Sequence, residues 1–407
     1  MGATNTSAHF AINSFSTLRA VFISIKMKKK IAIFLFLIIT ISSLYSQQKF
    51  VFNGYISQMG SSMFMKDSND VTWDYILHNR INTAYYVNDI FSAHLEFRNQ
   101  FLWGETVKIT PDYAENFSKD KGVVDLNWNG FHSDITLFNT QVDRAYVDYT
   151  QGNMQFLIGR QRINWGRSLV WNPNDIFNAY SYYDFDYTEK PGSDAIRVQY
   201  YSGTASLVEA VCKMDSANNI SIAALTKFNN KGFDVQFLGG YVNGEDFVVG
   251  AGIEGNIKAF ALRGEVSYYH PQKNFSDSIG ALLATIGTDI ILSNGLMLQA
   301  EFLYNDSKTL AGSLNEFYSA PSNSKILSIS QYNFFGNVSY PVSPIFSVYT
   351  AAMYYTDQNG FFLMPGFDLS LANNLNFSII YQYFNIDSGG NNRIAMNLAF
   401  VRLKWNF

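Results

Sequence analysis

Polar and apolar residues alternate with a period of two along most of the chain after Gln47. The segment 93–101 divides into a polar face with His94, Glu96, Arg98 and Gln100, and an opposite face with Ala93, Leu95, Phe97, Asn99 and Phe101. Successive side chains of a β-strand point to opposite faces, so this period indicates strands. No segment keeps a helical period for long, and the pattern therefore predicts an all-β protein.

The alternation predicts eighteen strands with connections of two kinds. The predicted strands are residues 50–58, 74–87, 90–102, 141–150, 153–163, 193–202, 204–213, 219–228, 232–242, 245–256, 258–270, 279–292, 295–304, 328–340, 344–356, 360–370, 373–385 and 392–407. Every long connection is odd-numbered, and every even-numbered connection is a tight turn. Short turns at one rim and long loops at the other are typical of outer-membrane barrels. Residues 47–407 are therefore predicted to form one antiparallel transmembrane β-barrel of about 18 strands.

Strand length and the end of the chain favour a membrane barrel over a secreted sandwich, which would bury the apolar face. Ten residues at about 3.4 Å rise and about 40° tilt climb roughly 25 Å, the height of the lipid-facing band. Barrels of 16–18 strands leave an aqueous channel. The last strand carries Val401, Leu403, Trp405 and Phe407 on one face, which resembles the terminal signal recognised by the barrel assembly machinery. We expect this machinery and outer-membrane lipid to be partners.

The N-terminal residues predict export from the cytoplasm. Lys28, Lys29 and Lys30 precede the eleven-residue run 31–41, which is apolar except for Thr40. Such a run fits a signal peptide and is too short to span a bilayer. We interpret 27–46 as the signal peptide, with cleavage near Ser46 or Gln47, and 1–26 as a stretch upstream of the true start. The expected location is the outer membrane of a Gram-negative bacterium.

Composition and charge exclude several other functions. Charged residues make up 15% of the chain, against about 25% in typical soluble domains. The single cysteine, Cys212, rules out a disulfide framework and a thiolate zinc site. Residues 1–46 carry five basic residues and no acid, so the net charge of −4 becomes −9 without them, which disfavours nucleic acid as a partner. No nucleophile, dinucleotide or metal-binding motif is present, and we expect no enzymatic activity, cofactor or metal.

Basic residues are concentrated on the faces predicted to line the lumen. The predicted pore-lining residues are Arg80, Arg98, Arg160, Arg162, Arg197 and Arg263, together with Glu96, Glu265 and Glu301. Guanidinium groups bind carboxylates and phosphates bidentately, and rings of arginine favour anions in pores. Arginine and glutamate can equally form ladders that stiffen the wall, and the two interpretations can coexist.

The segment 141–178 carries the most distinctive motifs of the chain. Gly159-Arg160-Gln161 is followed by Trp165-Gly166 and then by Asn172-Pro173. This arrangement resembles the alginate-export-like porins and related outer-membrane barrels. The resemblance implies an eighteen-stranded barrel with an arginine-rich pore that passes a polyanionic or small anionic solute by diffusion. Of the predicted pore arginines, Arg160 lies inside the motif.

The connection 164–192 is unusually aromatic. Its aromatic residues are Trp165, Trp171, Phe177, Tyr180, Tyr182, Tyr183, Phe185 and Tyr187. We expect such a loop to pack into the barrel mouth as a constriction, or to offer stacking faces to a sugar. Two functions remain open: a passive channel for small anionic or saccharide solutes, and a non-conducting surface barrel for polysaccharide binding or attachment.

Overall fold

The computed structural model describes residues 49–65, 71–178, 182–187, 189–306, 324–387 and 393–407. The predicted signal peptide, the stretch before it and Tyr180 lie outside these residues. The strands are β1 Phe50–Met65, β2 Val71–Tyr86, β3 Phe91–Gly104, β4 Asn127–His132, β5 Thr136–Gln151, β6 Met154–Gln161, β7 Ser193–Gly203, β8 Ser206–Met214, β9 Ile220–Asn230, β10 Phe233–Val242, β11 Asp246–Ile257, β12 Phe260–Pro271, β13 Ala281–Ile291, β14 Met297–Asn305, β15 Tyr332–Ser343, β16 Phe346–Tyr355, β17 Gly360–Ala372, β18 Leu375–Asp387 and β19 Arg393–Asn406. Two short helices, α1 Glu105–Ile109 and α2 Tyr113–Phe117, precede β4.

The strands form one closed antiparallel barrel. Consecutive wall strands pair with each other, and β1 pairs with β19 to close the sheet. The exception is β4, which pairs with residues 137–141 of β5, while β6 pairs with residues 145–151 of the same strand. The wall therefore has eighteen strands, and β4 extends it above the short β6. This confirms the predicted all-β barrel of about 18 strands.

The connections alternate between two rims, as the sequence indicates. At one rim, called the turn rim, each connection has two to five residues. Lys231 and Gly232 are an example, with φ values of 52° and 87°, the left-handed conformation that a two-residue type I′ hairpin turn requires. At the other rim, called the loop rim, lie the long connections 105–135, 162–192, 272–280 and 306–331.

The structure corrects two of the predicted connections. Residues 59–73 are mostly strand rather than loop, because β1 and β2 continue to pair as far as Phe64 and Val71. Gly60, Ser61 and Ser62 weaken the apolar alternation there, but ladder hydrogen bonds use the backbone alone. The predicted loop 103–140 contains both helices, β4 and the first five residues of β5.

The exposed outer face of the described strands is apolar, whereas the inner face carries the polar side chains and, near the loop rim, buried apolar ones. On β12, Val266 and Tyr268 are 38% and 40% exposed, whereas Glu265 and Ser267 are 3% and 0% exposed. The last strand follows the same rule, because Val401, Leu403 and Trp405 lie on the exposed outer face. In the described part of the chain, neither helix is long and apolar enough to cross a membrane.

Candidate functional site: a loop inside the barrel

The connection 162–192, called the inner loop, joins β6 to β7, and its described residues lie against the inside of the wall. The Trp165 indole Nε1 donates to Glu209 on β8 at 2.7 Å. Further along, Tyr183 packs edge-on against Phe362 on β17, with ring centroids 5.2 Å apart. The imidazole Nδ1 of His78, on β2, lies 3.1 Å from the carboxylate of Asp186. The inner loop therefore contacts the wall from β8 round to β2.

Two apolar clusters attach the inner loop to the wall near the loop rim. One contains the loop residues Val170, Trp171 and Tyr183, with wall residues Leu303, Phe335, Met353, Tyr355, Phe362, Phe384 and Met396. The other contains the loop residues Ile163, Trp165, Ile176 and Phe177, with wall residues Val211, Leu225, Leu238, Val248 and Leu283. Burying one large apolar side chain contributes about 1.5–3 kcal/mol, so these contacts hold the loop strongly.

Of the predicted aromatic loop residues, Trp165, Trp171, Phe177 and Tyr183 are buried in these clusters. Tyr182 and Phe185 are half-buried and contact Phe335 and Phe400. Tyr187 stacks with Arg98. A constriction or sugar-stacking role for these residues remains a prediction.

Two of the predicted acidic residues bind the backbone of the inner loop. Glu301 accepts backbone N–H groups of Leu169 at 2.7 Å, Trp171 at 2.8 Å and Val170 at 3.2 Å. Glu265 accepts those of Ser168 at 2.7 Å, Asn174 at 2.9 Å and Arg167. Among the described residues, the hydrogen-bond partners of both carboxylates are backbone N–H groups rather than arginine side chains.

Arg80 and Glu96 belong to an ion-pair network in which Arg80 and Asp143 are buried and Glu96 is partly exposed. Arg80 is 1% exposed and donates to Asp143 at 2.5 Å and to Glu96. Asp143 also accepts the Tyr187 hydroxyl and lies 3.2 Å from Arg144. The Arg80 charge is thus neutralised within the wall.

The other predicted arginines differ in what they contact. Arg197 forms two hydrogen bonds with Glu209, at 2.8 and 2.9 Å. Arg263 pairs with Glu254 at 3.2 Å and with Asp289. Arg98 lies 3.8 Å from the centre of the Tyr187 ring, and its Nε donates to the His78 imidazole at 3.3 Å. No carboxylate of the described residues forms an ion pair with Arg98.

Arg160 and Arg162, in and beside the distinctive motif, hold loop segments. Arg160 is buried and binds Asp194 at 2.7 Å, Asp120 at 2.7 Å and the Val124 carbonyl at 2.8 Å. It therefore ties the segment before β4 to β6 and β7 at the loop rim. Arg162 binds Asp175 at 2.8 Å and the Asn178 carbonyl at 2.6 Å. Complete burial raises the pKa of Asp175 despite Arg162.

Two cations outside the predicted pore-lining set also lie on the inner face. Arg402 and Lys404, on β19, pair in register with Met59 and Ser57 of β1. Lys404 lies 3.7 Å from the centre of the Tyr55 ring, and Arg402 lies 5.7 Å from that of Phe185. Among the described residues, neither forms an ion pair with a carboxylate. Alternation in the last strand, opposite its outward apolar residues, was the signal that could have found them.

Comparison with known proteins supports the fold. No family model matches the chain, and no curated protein matches it. Among solved structures, OccAB4 of Acinetobacter baumannii has a TM-score of 0.54 at 8% identity, covering 89% of this chain and 100% of that one. OccK11 (OpdR) of Pseudomonas aeruginosa has a TM-score of 0.56 at 8% identity, covering 88% and 97%. OccK5 (OpdH) of the same organism has a TM-score of 0.54 at 9% identity, covering 88% and 98%. These structures are outer-membrane porins, and at such low identity the likeness shows a shared fold alone.

Proposed function

We propose that this protein is an outer-membrane channel for passive diffusion of small anionic solutes. The observation that carries the proposal is the exposure of charged side chains inside the barrel. Toward the turn rim, Glu254 and Glu96 are 35% and 23% exposed, and Arg263 and Asp289 are each 18% exposed. Water therefore reaches inward-facing charges behind an apolar outer wall, the arrangement of a conducting barrel.

The proposed anion preference depends on three cations that form no direct ion pair with a carboxylate of the described residues and that outnumber the two nearby carboxylates, Asp186 and Glu189. Arg98, Arg402 and Lys404 lie against aromatic rings, which attract a cation without cancelling its charge. Asp186 of the inner loop interacts electrostatically with all three cations, so they share one part of the inner face. Cations that line a pore in this way favour anions. We assign the selectivity to these three residues, of which Arg98 was predicted to line the lumen, rather than to the other five arginines on the predicted lumen faces.

The inner loop limits the size of the solute that can pass. The inner loop and its two apolar clusters occupy the inside of the wall near the loop rim. This favours small carboxylates or single sugar acids over the polymer that the alginate-export-like resemblance implies. Arg167, on the inner loop, reaches Glu254 at 3.3 Å and Gln236 at 3.0 Å, and so narrows the lumen further.

We further propose that the barrel lies in the outer membrane of a Gram-negative bacterium. The exposed outer face carries aromatic residues near both rims, with Trp73 and Tyr75 at one and Tyr85 and Trp405 at the other. Aromatic girdles of this kind mark the two membrane interfaces of barrels. Trp405 and Phe407, at the end of the chain, are the residues proposed to engage the assembly machinery.

A non-conducting barrel for polysaccharide binding is the second candidate, because the two apolar clusters line the lumen from β7 to β19. Reconstitution of the purified protein in a planar bilayer separates the candidates. Stepwise conductance, with a reversal potential in a salt gradient that favours anions, supports the channel. Silence at all voltages supports the surface barrel.

Substitution of the selectivity residues tests the anion preference. We expect Arg98→Ala and Arg402→Ala each to move the reversal potential toward the value of a pore that does not distinguish anions from cations. The matched control is Arg393→Ala, because Arg393 is exposed at the loop rim and bonds only neutral groups, Asn385 and the Asn359 carbonyl, among the described residues. Equal effects in all three variants would contradict the assignment.

A further inference from the structure

Glu265 and Glu301 have an unusual environment for charged groups inside a barrel. Both are 3% exposed, and no lysine or arginine side chain of the described residues pairs with either. Six backbone N–H groups from the segment 167–174 point at the two carboxylates instead. A buried charge requires such compensation. The wall carboxylates and the loop amides therefore depend on each other.

A slot in the neighbouring strand receives the end of the same segment. The Asn174 amide donates to the Ala251 carbonyl at 2.9 Å, and its Oδ1 accepts the Ser267 hydroxyl at 2.7 Å. Gly250 makes the room, because a Cβ at this position would lie 2.7 Å from Asn174 Oδ1. The segment 167–174 is thus attached to the wall at three places: at Glu265, at Glu301, and where the Asn174 side chain binds Ala251 and Ser267.

We propose that Glu265 and Glu301 are positioning residues that clamp segment 167–174 of the inner loop against the wall. The clamp fixes Arg167, whose guanidinium extends toward Glu254 and Gln236. This inference rests on the proposed function only where it concerns the width of the channel. The attachment of the loop is independent of whether the barrel conducts.

Replacement of either glutamate by glutamine changes the charge and the number of hydrogen-bond acceptors while keeping the size of the side chain. A carboxylate offers two acceptor oxygens, whereas an amide offers one oxygen and an NH₂ group. In Glu265→Gln or Glu301→Gln, this NH₂ faces backbone N–H donors and repels them. Glu96→Gln is the matched control, because Glu96 also faces the lumen and pairs with Arg80 rather than with the loop.

Trypsin cleavage after Arg167 measures release of the loop without any added label. We expect folded wild type and Glu96→Gln to resist cleavage there, and folded Glu265→Gln and Glu301→Gln to be cut at least tenfold faster. Heat-modifiable mobility on gels identifies folded barrels, and mass spectrometry identifies the new end at Arg167. Cleavage of both glutamate variants at the rate of Glu96→Gln would overturn the clamp.

Two further measurements keep the outcomes distinct. If the glutamine variants do not fold, Glu265→Asp and Glu301→Asp decide, because each keeps the carboxylate but withdraws it by one methylene group from the loop amides. Cleavage of both at the rate of Glu96→Asp would overturn the proposal. If wild type conducts, we expect the glutamate variants to show frequent current fluctuations that Glu96→Gln lacks, and quiet currents would overturn the effect on channel width. If wild type does not conduct, the proposed function fails, while the cleavage comparison still judges the clamp.

Discussion

Replacing Arg80 tests whether its charge stabilises the wall through an ion pair with Asp143 or acts on ions in the pore. Arg80→Met keeps most of the aliphatic packing and removes the guanidinium, which leaves Asp143 buried at 1% exposure. Breaking a buried ion pair from one side costs about 3–5 kcal/mol. Arg144 remains 3.2 Å from Asp143, so we expect the lower end, about 3 kcal/mol, or roughly a hundredfold in the unfolding equilibrium.

Urea unfolding in lipid vesicles, followed by tryptophan fluorescence, measures this loss. Asp143→Asn removes the other charge, and the double variant should recover part of the stability because neither Arg80 nor Asp143 is then left buried without its partner. Arg144 loses the same carboxylate but keeps its hydrogen bonds to the backbone carbonyls of residues 143, 189 and 190. A coupling energy below about 0.5 kcal/mol, the level at which independent sites add, would refute the ion pair. We expect Arg80→Met to leave anion selectivity unchanged. A selectivity loss as large as that of Arg98→Ala would instead return Arg80 to the pore lining that the sequence predicts.

Three other changes test the packing, the closure and the charge of the barrel. Trp171→Ala should cost about 3 kcal/mol in the same unfolding assay, because it empties a buried site beside Phe335, and a loss below about 1 kcal/mol would contradict that packing. Gly54→Ala should reduce the yield of heat-modifiable barrel, because its Cβ would lie 2.0 Å from the Arg80 carbonyl oxygen beside the closing strand; Gly336→Ala, where the nearest atom is 3.9 Å away, should fold normally, and equal yields would contradict the argument. Burial lowers the pKa of Lys190 to about 8, so raising the pH from 7 to 9 should remove a positive charge from the inner loop and reduce anion selectivity; Lys190→Met should remove this pH dependence, and its persistence would assign the effect to another group.

Strand positions could be predicted because alternation is a local property. An outward Val266 next to an inward Glu265 is evident from two adjacent residues and needs no knowledge of the partner strand. The position of β4 could not be predicted in this way. It pairs with the edge of β5 that the short β6 leaves open, and only the assembled wall shows that this edge is free.

The partners of the lumen residues depend on contacts that are distant in sequence. Asp143 faces Arg80 because a bulge in β5 leaves it without a register partner between Val142 and Arg144, and a bulge of one residue has no reliable pattern. Glu265 and Glu301 were predicted to face inward, but their partners are backbone amides of the inner loop. Nearly every residue type carries the same backbone N–H group, so the sequence does not show which of these groups bind a carboxylate.

Near the loop rim, the apolar inward residues do have a sequence signal, which differs from alternation. The start of β17 contains Phe361, Phe362, Leu363 and Met364 in succession, so both faces of the strand are apolar there. Lipid covers the outer face, but water would not stabilise the inner one. Such a continuous run therefore requires an apolar partner inside the lumen, and the aromatic inner loop is the segment that supplies it. The continuous apolar run in β17 and the aromatic composition of the inner loop therefore have one explanation, because the two segments pack against each other inside the barrel.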